Sequence, residues 1–89
     1  MFEKMDLIGL EEVDNYQNPL IVAHFVSPIG EWFIVAGDKH GDDWLLFGIG
    51  DIIEKEMGFM TLSQITEMGG VLDTDWKPIG MYEVLWNIN

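Results

Sequence analysis

With 89 residues, no cysteine and 48% hydrophobic residues, the chain is one domain with enough apolar material to fold without disulfide staples. Sixteen acids stand against four lysines (Lys4, Lys39, Lys55 and Lys77) and no arginine, a formal net charge of −12. Such a charge opposes nucleic acid and anionic membranes, and the missing arginine removes the usual bidentate reader of phosphate and guanine, so direct nucleic-acid binding is excluded.

The N-terminal stretch MFEKMDLIGLEE mixes one lysine with four acids before any long apolar run. It is expected to be neither a leader nor a membrane span, and no later stretch reaches the roughly 18 apolar residues that a span needs. Together with the absence of cysteine, this points to a cytoplasmic protein. Met1 to Asn18 read as an extended lead-in with one strand-like or helical turn.

Leu20–Val26, LIVAHFV, is rich in β-branched residues and bounded by the turn residues Ser27-Pro28-Ile29-Gly30, so it reads as a strand. Strict alternation puts Ile21, Ala23 and Phe25 on one face and Val22, His24 and Val26 on the other. Trp32–Ala36 and Trp44–Ile49 are two further strands. Both are almost continuous apolar runs, so at least one belongs in the middle of a sheet, covered on both faces. The three should be adjacent and antiparallel, with Trp32, Ile34, Leu46 and Phe47 largely buried.

Between the last two strands lies GDKHGDDW, with three aspartates and a histidine in eight positions. A calcium loop of the EF-hand type would place a glutamate twelfth from Asp38, where Ile49 stands, and isoleucine cannot ligate. Asp38, His40, Asp42 and Asp43 are therefore read as the solvated tip of a hairpin, with Gly37 and Gly41 available for positive φ, and no metal is expected.

Beyond Gly50, DIIEKEMGFM mixes charged and apolar residues and is left unassigned. Thr61 and Gln64 have capping-box spacing, with Ser63 as a rival cap; a helix with Leu62, Ile65 and Met68 on its buried stripe should follow and end at Gly69-Gly70. Asp73–Pro78 reads as loop, and Gly80–Trp86 as a closing strand or a short helix, the spacing of Met81, Val84 and Leu85 favouring the helix. The expected architecture is one α+β domain: a small antiparallel sheet of three or four strands with one or two short helices in the C-terminal half.

The motifs "PLIVAHFVSPIGEWFIVAGDKHGDDWLLFG" and "EMGFMTLSQITEM" resemble, in order, those of domain-of-unknown-function family 2958, short proteins carried on plasmids, phages and integrative elements. The counterparts are Ser27-Pro28, Trp32, Gly41-Asp42-Asp43, Phe47-Gly48 and Met57-Gly58-Phe59-Met60-Thr61-Leu62, over about Pro19 to Pro78. Met57 and Met60 replace more typical residues, and Trp76 and Trp86 fall outside the pattern. The resemblance implies no activity. It implies a mobile-element setting, in which small acidic proteins often antagonise host defence or act as accessory factors.

No enzyme is expected. The only serines, Ser27 and Ser63, are not in a nucleophile elbow, and GIGD at 48–51 lacks the third glycine and the lysine of a phosphate loop. His24 in a strand and His40 in a hairpin have no local ligand partner, and a strand histidine is more often a satisfied sheet residue than a catalyst. Binding remains. Carboxylates two residues apart on an extended segment stand about 6.6 Å apart, close to two phosphate steps of about 3.4 Å. Glu54/Glu56 and Asp73/Asp75 have that spacing if their segments are extended, and Asp42, Asp43 and Trp76 complete the candidate partner-binding set. Trp76 and Trp86 are read either as exposed anchors or as lids on the sheet. The expected function is a non-enzymatic inhibitor, of the anti-defence or anti-CRISPR type, that blocks a basic nucleic-acid-handling host protein without any cofactor. The alternative is an accessory or self-associating interaction module of a plasmid or phage with no inhibitory role, a homodimer being one form it could take.

Overall fold

The computed structural model describes residues 7–86. Seven strands, two short α-helices and one 3-10 helix follow in chain order: the 3-10 helix Leu10–Asn15, β1 Leu20–Ile21, β2 Ala23–Ser27, β3 Gly30–His40, β4 Asp43–Asp51, β5 Lys55–Thr61, α1 Leu62–Glu67, β6 Val71–Leu72, β7 Ile79–Gly80 and α2 Met81–Leu85. Five of the strands form one antiparallel sheet in the order β5-β4-β3-β2-β6, and β1 pairs with β7 in a separate two-stranded ladder.

β3 is the middle strand, and Trp32 through Gly37 are all buried. Its two faces build two cores. Trp32 and Ile34 join Ala23, Phe25, Leu46 and Ile65 under α1. Phe33, Val35 and Ala36 join Ile21, Ile49, Met81 and Val84, with Leu10, Val13 and Trp76 packed against them. The register against β4 slips between Ile34 and Ala36, so Ile34 faces Gly48 while Ala36 faces Phe47. That bulge sends the consecutive residues Val35 and Ala36 into the same core, which strict alternation could not do.

The hairpin turn is Gly41-Asp42, closed by the pair His40 and Asp43. Gly41 has φ 63° and Asp42 is not in the positive region, the requirement of a II′ hairpin turn. Helix α1 starts at the expected box: the Gln64 backbone N–H donates to Thr61 Oγ1 at 3.2 Å, and the Thr61 N–H donates to Gln64 Oε1 at 2.9 Å. It ends at Gly69 with φ 83°. Helix α2 is capped from far off, Asn18 Oδ1 accepting from the Tyr82 N–H and Glu83 Oε2 from that of Gly80.

The three expected strands are adjacent and antiparallel, and Trp32, Ile34 and Leu46 are buried. Four details differ. Phe47 is only half-buried, because β5 covers it with a single ring, Phe59, at 5.3 Å. Leu20–Val26 breaks at Val22, so Ile21 turns into the second core rather than sharing a face with Ala23 and Phe25. Met68 lies past the end of α1 and is exposed. The sheet has five strands rather than three or four, since β5 and β6 join it. The lead-in contributes the 3-10 helix and a bridge from Ile8 to Ala36; its first six residues lie outside the described part.

Two β-sheet glycines should respond oppositely to substitution. A Cβ at Gly48 would collide with the Phe33 carbonyl oxygen across β3, whereas one at Gly58 would meet nothing within 4 Å. Gly48→Ala should cost at least about 3 kcal/mol in denaturant unfolding, as the central strands must part. Gly58→Ala should gain roughly 0.5–1 kcal/mol from the entropy that a strand glycine wastes.

Candidate functional site

His24 is the one buried polar or charged side chain among the described residues. Strand pairing sets it opposite Phe33, and its ring stacks on the Phe33 ring with centroids 4.6 Å apart. Trp76 packs against both rings, 4.7 Å from His24 and 5.7 Å from Phe33, its indole N–H donating to the Ile21 carbonyl at 2.9 Å. Each ring nitrogen has its own carboxylate: Nδ1 lies 2.8 Å from Asp73 Oδ2, and Nε2 lies 2.8 Å from Glu31 Oε1. Glu31 arrives diagonally from β3. Asp73 arrives because its N–H donates to the His24 carbonyl at 2.8 Å, extending the β2–β6 ladder by one residue.

This cluster ties three strands together. The two carboxylates sit on opposite ring nitrogens, so they do not converge on a point where an ion could bind, and with both nitrogens engaged the ring offers none to a substrate. Among the described residues no group of three His, Asp or Glu side chains gathers as metal ligands would. The hydrogen bond from His24, joined by one from the Asp75 N–H, holds the Asp73 carboxyl below its ordinary value of 3.8. The Asp43 carboxyl is likewise lowered, first by the Ser63 hydroxyl at 2.6 Å and then by the Trp44 N–H at 2.8 Å. Asp43 thereby pins the start of β4 to the first turn of α1.

The candidate partner-binding acids thus divide. Asp43 and Asp73 are held by internal hydrogen bonds, and Trp76 serves as a lid on the sheet. Asp42, Glu54, Glu56 and Asp75 are exposed. The regular spacing expected of the acid pairs is not met: Glu54 lies in a bend before β5, and Asp73 to Asp75 fold into a tight turn closed by the Asp75 N–H on Asp73 Oδ1. Nor do the pairs form one array. Glu56 is on β5 and Asp73 follows β6, at opposite edges of the sheet, four strand spacings or about 19 Å apart.

Around β5 the surface is both acidic and apolar. A groove of about 470 Å³ runs beside Trp32, Gly50, Gly58 and Met60, bordered by Glu54 and Glu56 and by no cation. Ile53, Met57 and Phe59 beside it are 97%, 52% and 66% exposed. Sequence reasoning passed over this region because nothing in EKEMGFM repeats with strand period. The signal available was the pairing of two glycines with large apolar residues next to an unassigned run.

No family model matches the chain, and neither a curated protein nor a solved structure does. No helix of the described residues is long and apolar enough to cross a membrane.

Two measurements test this assignment. Because the folded-state carboxyls of Asp43 and Asp73 lie below 3.8, their contribution to stability is complete above that pH and is lost as pH falls through the lowered value. The Tm difference between the protein and Asp43→Asn or Asp73→Asn should therefore be largest above pH 3.8 and narrow below it. Calcium, magnesium or zinc should leave the Tm unchanged; a stoichiometric rise would assign a metal to the hairpin acids.

Proposed function

We propose that this protein is a non-enzymatic acidic binding protein that docks on a basic, nucleic-acid-handling protein and keeps nucleic acid off it, as an inhibitor carried by a mobile element would. The observation that carries the reading is the disposition of charge. None of the described acids is buried, and the chain sets a net charge of −12 around the apolar surface at β5. Opposite charge speeds encounter and selects the partner, while exposed apolar side chains supply the affinity. The resemblance to family 2958, resting on the motifs alone, supplies the mobile-element setting.

The irregular placement of the acids changes what mimicry means here. With Glu54/Glu56 and Asp73/Asp75 at opposite edges, the chain competes as a charged body occupying a groove rather than as a replica of phosphate spacing. The exposed Ile53, Met57 and Phe59 also favour a second reading, an accessory module that self-associates. Salt separates the two. Docking on a basic partner weakens as salt rises, whereas association of like-charged copies strengthens as their repulsion is screened.

The test is competition on a partner recovered at low salt: nucleic acid and this protein should exclude each other. Glu54→Lys/Glu56→Lys should weaken association about tenfold or more at low salt, with the Tm unchanged. Asp75→Lys should act on binding alone, but Asp73→Lys should also lower the Tm, because it removes the partner of His24. Simultaneous binding of nucleic acid and this protein would overturn the inhibitor reading, and a dimer that tightens with salt would establish the second.

A further inference from the structure

We infer that the free edge of β5 receives an extended segment of the basic partner as a sixth strand of the sheet, one whose side chains alternate between lysine or arginine and apolar residues. The inference rests on the docking function proposed above and specifies the partner's shape and pattern.

β5 pairs with β4 along its whole length, from Leu45↔Thr61 to Asp51↔Lys55, and among the described residues no strand pairs with its other side. The opposite edge of the sheet, β6, has two residues, too few to template another chain. β5 has seven residues, no proline and no bulge. Its one lysine is turned to a different task, Lys55 Nζ donating to the Val84 carbonyl at 2.9 Å. Apart from the charge of Glu56, the edge lacks the usual devices that keep other strands away.

The two faces of β5 dictate the pattern of what adds to it. Met57 and Phe59 share a face with their register partners Ile49 and Phe47, and both are more than half exposed. On the other face stand Glu56, Gly58 and Met60, bordering the groove. The two glycines of that groove are not there to relieve a clash. A Cβ at Gly58 would meet nothing within 4 Å, and one at Gly50 would meet only Trp32 Cδ1 at 3.8 Å, while neither has a positive φ. They leave open a space that the fold itself does not need. A long cationic side chain from an added strand would lie across Gly58 with its charge at Glu54 and Glu56, and its neighbours in sequence would fall beside Met57 and Phe59. Charge complementarity selects this occupant over a second copy, which would bring its own −12 to the same edge.

The probe is a nine-residue peptide alternating lysine and valine, titrated into the intact protein with amide exchange followed by NMR. Two controls accompany it: the same composition with lysines and valines in separate blocks, and the alternating peptide with every second amide N-methylated. The alternating peptide should slow exchange of amides within Lys55–Thr61, and each control should bind at least about tenfold more weakly. Gly58→Leu, which fills the groove from a position where a Cβ meets nothing within 4 Å, and Met57→Lys, which repels the probe, should each weaken binding without lowering the Tm. Equal binding of either control, or binding with no protection of β5, would overturn the inference and leave charge-driven docking elsewhere. Self-association through β5 in place of peptide binding would overturn it in favour of a second copy. Neither result decides whether the protein excludes nucleic acid from a partner, which the competition assay reads by itself.

Discussion

The burial of β3 on both faces is the constraint from which the rest of the molecule follows. Six consecutive buried residues, Trp32 to Gly37, demand a cover above and a cover below. A six-residue helix, α1, supplies one through Leu62 and Ile65. The other is assembled from pieces: the 3-10 helix with Leu10 and Val13, α2 with Met81 and Val84, and the Trp76 indole. Burying a side chain such as Ile34 or Leu46 stabilises the fold by about 1.5–3 kcal/mol, so both covers are worth their ordering entropy. With the described helices committed to those two covers, β5 is left as an edge among the described residues.

The central strands were legible because burial writes itself into composition. Leu20–Val26, Trp32–Ala36 and Trp44–Ile49 are apolar because most of their side chains are buried or half-buried, and Thr61 with Gln64 is a local device that needs no tertiary contact. β5 was not legible for the opposite reason: an exposed edge strand needs no apolar alternation, and Lys55–Thr61 has none. β6 and β7, two residues each, exist only as partners of β2 and β1 and carry no signal of their own. The break at Val22, which turned Ile21 to the other core, is set by the long-range pairing of β1 with β7, Ile21 facing Ile79 and Leu20 facing Gly80.

The candidate site divides in the same way. That Asp73 would meet His24 could not be read locally, since 49 residues separate them. A histidine in an otherwise apolar strand did announce that a partner must exist, because a buried polar group left without one is costly. Sixteen acids were too many candidates for that partner to be picked out. The assumption that failed was conformational. Acids two apart were given the spacing of an extended chain, yet Asp73-Thr74-Asp75 is a turn precisely because an aspartate can accept from the N–H two residues on.

Charge and exposed apolar surface are best understood as a pair in this molecule. An unguarded seven-residue edge with Met57 and Phe59 beside it is a template for aggregation. A surface of net charge −12 without a docking surface would give solubility and little else. Combined, each corrects the other. In the docking proposed above, like charge would keep two copies from pairing their edges, and the same charge would draw in a basic chain, for which the edge would provide main-chain hydrogen bonds. Carboxylates at Asp43 and Asp73 are spent on holding the fold, so the protein can vary its exposed acids without loosening its core. On that proposal, selectivity lies less in the number of acids than in where the apolar edge is left open among them.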